Sequence, residues 1–178
     1  MVVINKEEFD IFDRKGKLIG KKTRNEVHRE GFIHKSVLIF VLNSKKKVFL
    51  QKRSENKDLN PGRWDMSVGE HLHAGEDYLD GARRGLFEEL GIKDIEPEKI
   101  TEPILFEVKH NGMMDREYCM IYKAIFDAKI DVEEDEISEG RFYSKTEIEK
   151  IVDKTPDEFT PFFLMSWKMV KDKIFLNT

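Results

Sequence analysis

The chain has 178 residues, of which 39% are hydrophobic and 37% are charged, and its formal net charge is −4. This size and apolar content suit a single domain, residues 1–178, with a core of its own. The acidic balance and the lack of a long basic run argue against a nucleic-acid surface, and no apolar stretch of about 18 residues that could cross a membrane occurs.

The first predicted elements are strands. Residues 9–12 and 17–20 flank a polar segment that ends in a glycine, a pattern that predicts a β-hairpin. The apolar, β-branched run 36–42 predicts a strand, and 47–53 is predicted to be its partner after a polar turn. Together with the helices, these strands indicate an α/β fold. The elements in the second half of the chain are predicted as strands at 104–108, 117–126 and 141–143 and a closing helix at 161–175.

A helix is predicted between these two groups of strands, from about Tyr78 to Leu90. Asp77 is a suitable N-cap, and Gly91 stands where a left-handed C-cap is expected. Four apolar residues recur at helical spacing and form the stripe that a helix buries against a core. They are Leu79, Ala82, Leu86 and Leu90.

The opposite face of this helix carries the adjacent carboxylates Glu88 and Glu89 together with two glycines. A lone pair of glutamates is more often a solvated surface than a site. Gly81 and Gly85, however, should each cost about 1 kcal/mol relative to alanine in a helix interior. We therefore expect another group to approach the helix backbone on the acidic side.

These residues resemble the signature motif of the Nudix superfamily. That motif runs Gly, five residues, Glu, seven residues, Arg-Glu, an aliphatic, any residue, Glu-Glu, any residue, Gly and an aliphatic. It differs from this chain at two positions: Glu70 stands at the first glycine, with Gly69 just before it, and Gly85 replaces the glutamate after the arginine. The matching residues are Glu76, Arg84, Leu86, Glu88, Glu89, Gly91 and Ile92.

The resemblance implies the Nudix fold, a mixed β-sheet sandwiched between helices (α/β/α), with an N-terminal β-hairpin, and it implies a divalent metal, Mg²⁺ or Mn²⁺. The glutamate missing at Gly85 is a metal ligand and sometimes the general base in the superfamily, so Glu70 is the candidate substitute. Arg84, one helical turn before Glu88, should orient the metal carboxylates. The implied Mg²⁺ ligands are Glu76, Glu88, Glu89 and the carbonyl of Gly69.

Other segments narrow the resemblance to the branch near type 1 isopentenyl-diphosphate isomerase. Residues 53–68 resemble the isomerase segment that joins a diphosphate-binding Arg and Lys to a Pro-Gly-x-Trp turn, which implies Arg53 and Lys57 as diphosphate ligands. Residues 159–162 resemble its Phe-Ser-Pro-Trp, with Phe162 at the tryptophan, where an aromatic ring could face a carbocation.

The resemblance also implies a second metal site, for Zn²⁺ or Mn²⁺, made of imidazoles and carboxylates. A lone histidine is more often a hydrogen-bonding residue than a ligand, but here three histidines and two acids stand at matching places. The spacing from the first to the second histidine is one residue shorter than in the isomerase. The candidate ligands are His28, His34, His71, Asp115 and Glu117.

One substitution argues against isomerase activity. Gly69 stands where the isomerase has its catalytic cysteine, and Cys119 matches a non-catalytic one, so only Glu117 remains of the acid–base pair. Losing one proton-transfer group removes about two to four orders of magnitude in rate. A hydrolase needs a metal and one carboxylate to activate water, for which Glu70 or Glu117 is available.

The sequence therefore favours a metal-dependent hydrolase of a diphosphate linkage, with a small-molecule substrate of nucleoside- or prenyl-diphosphate type. The alternatives are isopentenyl-diphosphate isomerase and a degenerate Nudix module that binds a ligand without turnover. The acidic stretch 131–136 is expected to be a solvated loop. Many Nudix hydrolases place a further catalytic glutamate in this region, which leaves Glu136 and Glu139 as candidates.

The chain is expected to be cytoplasmic. Its first residues, 1–8, lack a signal-peptide pattern. Its single cysteine, Cys119, cannot form a disulfide within the chain, which fits a reducing compartment. The sequence leaves a homodimer open.

Overall fold

The computed structural model describes residues 7–57, 59–110 and 112–176. The absence of a signal peptide was predicted from residues 1–8, and the first six of these lie outside the described residues. Within the described residues, no helix is both long and apolar enough to cross a membrane.

The described chain contains ten strands and four α-helices, and a 3₁₀ turn at Pro156–Glu158 precedes the last helix. The strands are β1 (Glu8–Phe12), β2 (Leu18–Thr23), β3 (Ile33–Leu42), β4 (Lys47–Arg53), β5 (Trp64–Asp65), β6 (Val68–His71), β7 (Glu98–Lys99), β8 (Ile104–His110), β9 (Met113–Ile125) and β10 (Ile137–Ser144). The helices are α1 (Arg24–Glu30), α2 (Tyr78–Leu90), α3 (Lys145–Lys154) and α4 (Pro161–Val170).

Strand β3 lies at the centre of one mixed sheet. It pairs in parallel with β9 along its whole length, and on its other side it pairs antiparallel with β1, β6 and β4. Because side chains alternate along a strand, β3 supplies both faces of the sheet. Val37, Ile39 and Val41 pack toward α2, whereas Leu38 and Phe40 pack toward α3 and α4. The sheet is therefore covered by helices on both faces, as predicted.

Helix α2 has the predicted bounds and caps. The Asp77 side chain accepts a hydrogen bond from the Asp80 amide, and Gly91 ends the helix in the left-handed region with φ of 66°. The group expected to approach the helix is strand β6 with the residues that follow it. A Cβ atom on Gly85 would lie 2.8 Å from Val68 Cγ1, which is too close for a stiff β-branched side chain in a strand.

The structure differs from the prediction in the length of several strands, in the short strands β5, β6 and β7, which were not predicted, and in its helices. The closing helix, predicted to reach residue 175, ends at Val170, and the chain continues in turns in which the amides of Lys173 and Ile174 both donate to the Val170 carbonyl. Ile174 is nevertheless buried, so the apolar pattern continues past the end of the helix. Helices α1 and α3 were not predicted; each fully buries a single residue, Val27 in α1 and Ile148 in α3.

Both unpredicted helices begin with a complete capping box. In α1 the Thr23 hydroxyl oxygen accepts from the Glu26 amide, and the Glu26 carboxylate accepts from the Thr23 amide at 3.0 Å. Ser144 and Glu147 repeat this exchange at the start of α3. These reciprocal bonds satisfy backbone donors that a helix leaves unpaired at its start.

Replacing either cap should destabilise the protein. Thr23→Ala and Ser144→Ala should each lower the free energy of unfolding by about 1 kcal/mol, because each removes the acceptor for a first-turn amide. Urea denaturation measures this change. Thr23→Ser keeps the oxygen and serves as the control, so equal losses in Thr23→Ala and Thr23→Ser would contradict the role of the cap.

Candidate active site

One cleft of about 1340 Å³ gathers most of the residues singled out in the sequence. It lies beside β6 and the C-terminal half of α2, and it extends toward β9 and the start of α4. Its walls include carboxylates, cations and one histidine of the predicted second metal site, His71. The predicted diphosphate residues and most of the predicted metal residues therefore share a single cavity, whereas Glu76, His28 and His34 are not among the described residues that line it.

Arg84 is the centre of the carboxylate end of this cleft. Its Nε and Nη2 atoms donate to the two oxygens of Glu76, both at 2.9 Å, and Nη1 donates to Glu88 Oε2 at 3.1 Å. The distance from Nη1 to Glu70 Oε1 is 3.3 Å, and Nη2 also donates to the His71 carbonyl at 2.8 Å. One guanidinium thus contacts three glutamates, which fits its planar fork of donors.

Glu88 and Glu89 occupy different environments although they are adjacent. The Glu88 side chain is 53% exposed, whereas Glu89 is only 7% exposed. Gln51 donates to Glu89 Oε2 at 2.8 Å, and burial together with the charge of Glu70 raises the pKa of Glu89 to about 8. A bound cation would supply the compensating charge that this buried carboxylate lacks.

Glu70 reaches this group of carboxylates from strand β6 rather than from the helix. A Cβ atom on Gly85 would lie 3.1 Å from Glu70 Cβ and 3.4 Å from Glu70 Cγ. The stem of Glu70 therefore occupies the space in which a side chain at position 85 would begin. Burial raises the pKa of Glu70, although Arg84 opposes this shift.

The structure brings the three histidines of the predicted second site together. The ring centroids of His28, His34 and His71 lie 4.9 to 5.3 Å apart. His28 comes from α1, His34 from β3 and His71 from β6, so the shorter spacing along the chain does not prevent the grouping. One nitrogen from each ring lies within 4.8 Å of the others.

His34 is oriented as a ligand would be. The ring is completely buried, and Nδ1 lies 3.2 Å from the Phe32 carbonyl, an oxygen that only accepts, so Nδ1 carries the proton. Nε2 therefore has a lone pair that could bind a metal, and this atom is buried without a hydrogen-bond partner. Burial and the neighbouring His71 lower the pKa of His34 to about 3, so its ring is neutral.

The two acids complete this group from β9. His34 and Glu117 are register partners of the parallel β3–β9 pair. Glu117 Oε1 lies 3.3 Å from His71 Nε2 and 3.9 Å from His34 Nε2. Burial would raise the pKa of Glu117, but the charge and hydrogen bond of His71 outweigh it, and this pKa is lowered. Burial and the charge of Glu117 raise the pKa of Asp115 to about 7, and one buried Asp115 oxygen has no hydrogen-bond partner.

The predicted diphosphate ligands Arg53 and Lys57 also line the cleft. Arg53 Nε donates to the Leu59 carbonyl at 3.0 Å, and the Lys57 ammonium contacts the Glu136 carboxylate. Phe162, on α4, also lines the cleft. Glu136 lies in the cleft as well, but Glu139 is exposed on β10 opposite Lys52, and it is not among the described residues that line the cleft.

Sequence reasoning missed Arg24, Gln51 and Asp65, all of which line the cleft. Arg24 is the first residue of α1, and its charge lowers the pKa of His71, although other groups outweigh it. The signal that could have found it is the capping box that begins at Thr23, one residue before Arg24. Gln51 and Asp65 have no such signal, because only tertiary contacts bring them to Glu89 and Arg53.

Comparisons with known proteins identify the family. The family model described as NUDIX domain matches residues 32–163, more than half of the chain. The chain belongs to the Nudix family. This membership confirms the predicted fold class, and the unusual Glu70 and Gly85 are therefore variations on a Nudix motif.

Nudix relatives of two kinds resemble this chain. An uncharacterized Nudix hydrolase from Clostridium acetobutylicum is 43% identical over 132 residues, which cover 71% of this chain and 63% of that protein. An isopentenyl-diphosphate Delta-isomerase from Pectobacterium atrosepticum is 27% identical over 165 residues, which cover 93% of this chain and 92% of that protein. A crystal structure of a Deinococcus radiodurans protein matches with a TM-score of 0.69 at 21% identity, covering 83% of this chain and 90% of that one.

Exchanging positions 70 and 85 tests the packing between α2 and β6. Gly85→Glu alone should lower the free energy of unfolding by about 1–3 kcal/mol, since the new Cβ has no room beside Val68 and Glu70. Adding Glu70→Gly should restore part of this loss, because it removes the stem that fills the space. Urea denaturation of both variants and of Glu70→Gly alone separates the cost of the clash at position 85 from the cost of losing the Glu70 side chain. A fully stable Gly85→Glu variant would show that Val68 and Glu70 do not exclude a side chain there.

Proposed function

We propose that this Nudix protein is a metal-dependent hydrolase that cleaves a diphosphate linkage in a small molecule of nucleoside- or prenyl-diphosphate type. The observation that carries the proposal is the shared cleft, which is lined both by carboxylates around Arg84 and by the cations Arg53 and Lys57. Carboxylates suit a divalent metal, and the cations suit phosphate oxygens. Neither set alone would define a reaction.

The carboxylate end fits Mg²⁺ or Mn²⁺. Glu88, Glu89 and the Gly69 carbonyl would hold the ion, and the raised pKa of buried Glu89 supports this assignment because no nearby cation fully balances its charge. Such an ion would neutralise diphosphate oxygens and make bound water more acidic. Both oxygens of Glu76 accept from Arg84, so we place Glu76, first expected as a ligand, primarily as the residue that fixes Arg84.

Glu70 is the better candidate for the general base. A base works best when its pKa lies near the operating pH. Burial raises the pKa of Glu70, whereas the neighbouring His71 lowers that of Glu117. In the proposed reaction a Glu70 oxygen takes the proton of the attacking water, the water oxygen bonds to phosphorus, and the bond to the bridging oxygen breaks.

The cations of the cleft would bind the rest of the diphosphate. Arg53 and Lys57 would contact its oxygens, and Arg24, which lines the same cleft, is a further candidate. Phe162 adds an apolar surface where α4 begins. This apolar surface would contact the organic group that the diphosphate carries.

Isopentenyl-diphosphate isomerisation is the second candidate, favoured by the histidine group and by the Pectobacterium relative. The position of Cys119 argues against it. This thiol is completely buried in the core on the α4 side of the sheet, accepts from the Ser36 hydroxyl at 3.1 Å, and has a pKa that burial raises. It therefore cannot replace the acid that Gly69 lacks. The third candidate, a module that binds without turnover, is motivated by Gly85.

The second metal site is also proposed. His34, His71 and Glu117 would bind Zn²⁺ or Mn²⁺ together with His28 and Asp115. The observations that support it are the buried, unpartnered His34 Nε2 and Asp115 Oδ1 atoms. Buried polar atoms without partners are rare and need an explanation, and an ion held by both would provide one.

Neutralising the carboxylates tests the hydrolase. Glu88→Gln and Glu89→Gln should each lower kcat/KM by roughly a hundredfold or more, since losing several kcal/mol of charge stabilisation costs a factor of ten per 1.4 kcal/mol. A panel of diphosphates with Mg²⁺, including isopentenyl diphosphate, is assayed for phosphate release. Exposed Glu102→Gln, which lies outside the cleft, is the matched control.

The same panel separates the candidates. Dimethylallyl diphosphate formed without free phosphate would identify an isomerase. Binding without any product would identify a module without turnover. Hydrolysis that is unchanged in both glutamate variants would show that the assignment of the carboxylates is wrong.

Removing one imidazole tests the second metal site. His34→Gln should weaken Zn²⁺ or Mn²⁺ binding by at least about a hundredfold, because a ligand should matter at least as much as the outer residues whose loss costs 10- to 100-fold. Calorimetric titration with Zn²⁺ or Mn²⁺ alone measures this affinity. His73→Gln is the control, since His73 is exposed and pairs with Glu7 at 3.0 Å. Equal affinities in the two variants would exclude His34 as a ligand.

A further inference from the structure

The predicted diphosphate ligands Arg53 and Lys57 each contact a carboxylate, which is buried for Arg53 and partly exposed for Lys57. Arg53 Nη1 lies 3.6 Å from Asp65 Oδ2. Asp65 is buried, and its Oδ1 accepts from the Thr160 hydroxyl at 2.7 Å and from the Met66 amide at 3.0 Å. These bonds fix Asp65, so a ligand that binds Arg53 must accept this carboxylate as a permanent neighbour.

Lys57 has a different partner. The Glu136 carboxylate that contacts it is 44% exposed, whereas the Lys57 side chain is only 17% exposed. The Glu136 backbone is fixed, because its carbonyl accepts from the Ser54 amide at 2.9 Å and its amide donates to the Glu133 carbonyl at 3.0 Å. The side chain can therefore turn into solvent while the loop stays in place.

This ion pair lies next to the proposed metal site. The amide of Glu133 donates to the Glu89 carbonyl at 3.0 Å, which attaches the acidic turn to the end of α2. The charge of Glu136 raises the pKa of Glu89, and the charge of Lys57 lowers it. Both members of the pair thus act on the same buried carboxylate.

We propose that Glu136 is an exchangeable counter-ion of Lys57 that a bound diphosphate displaces. The inference rests on the proposed function, because it takes Lys57 as a diphosphate ligand. A diphosphate bears more charge than one carboxylate and also reaches Arg53, so it binds Lys57 in preference to Glu136. A partly exposed ion pair contributes little, and the exchange therefore costs little.

Glu136 consequently limits the affinity of the cleft for anions. While Glu136 holds Lys57, a ligand must break this ion pair before Lys57 can bind it. In the bound state the Glu136 side chain turns toward solvent, and Lys57 donates to phosphate. This assigns Glu136 to ligand affinity, a different role from the catalytic glutamate that its place in the chain first indicated.

Binding of inorganic diphosphate in the presence of Mg²⁺, measured by calorimetry on the full chain, tests this exchange. Glu136→Gln removes the charge but keeps the shape, and it should tighten binding about two- to fivefold, the value of one partly exposed ion pair. Glu134→Gln, in the same acidic turn but not among the residues that line the cleft, removes an equal charge and should change affinity by less than about twofold. In a Lys57→Gln background, Glu136→Gln should produce no gain.

Other outcomes overturn the exchange. Unchanged or weaker binding in Glu136→Gln would do so, as would a gain that persists without Lys57 or an equal gain in Glu134→Gln. A hundredfold loss of kcat in Glu136→Gln at unchanged diphosphate affinity would make Glu136 a proton-transfer group instead. If the wild-type protein binds and hydrolyses a diphosphate while Glu136→Gln binds no tighter, only the exchange fails. If the wild-type protein binds no diphosphate, the proposed function fails with it.

Discussion

The carboxylate end of the cleft depends on one guanidinium. Glutamates that share a partly buried cavity repel one another, and burial further disfavours their charged forms. Arg84 offsets this repulsion by contacting Glu70, Glu76 and Glu88 at once. Glu89 lies outside this set, and its pKa is raised. Arg84 therefore neutralises part of the negative charge of this cluster, and Glu89 remains as the carboxylate that an added cation would stabilise.

The close contact between α2 and β6 explains why this motif departs from the usual Nudix pattern. Gly85 has no side chain because Val68 and the stem of Glu70 fill the space beside it. We propose that Glu70, on the adjacent strand, takes over the role of the glutamate that the Nudix motif has at position 85. Glu70 and Gly85 thus reflect one change in packing, which places Glu70 near Arg84 together with Glu76 and Glu88.

The same cleft carries features of two chemistries. The parallel β3–β9 pair places His34 beside Glu117, and α1 adds a further imidazole, as the resemblance to the isomerase branch implies. The group that an isomerase needs opposite Glu117 is missing, since position 69 is a glycine and Cys119 is enclosed in the core. The histidine group therefore fits a metal site within a hydrolase better than a proton-transfer pair.

The sequence by itself determined the family, the bounds and caps of α2, most of the strands and many of the charged residues of the cleft, because these follow from the motif, local spacing and capping. Helix α1 escaped prediction because it is short and buries only Val27, whereas α3 was missed although Ile148, Ile151 and Val152 recur at helical spacing and pack against the core. Only the tertiary structure decided that Glu70 fills the space beside Gly85, that Gln51 and Asp65 support the site, and that Glu136 holds Lys57. Such contacts join residues far apart in the chain, and their geometry depends on how closely the layers pack.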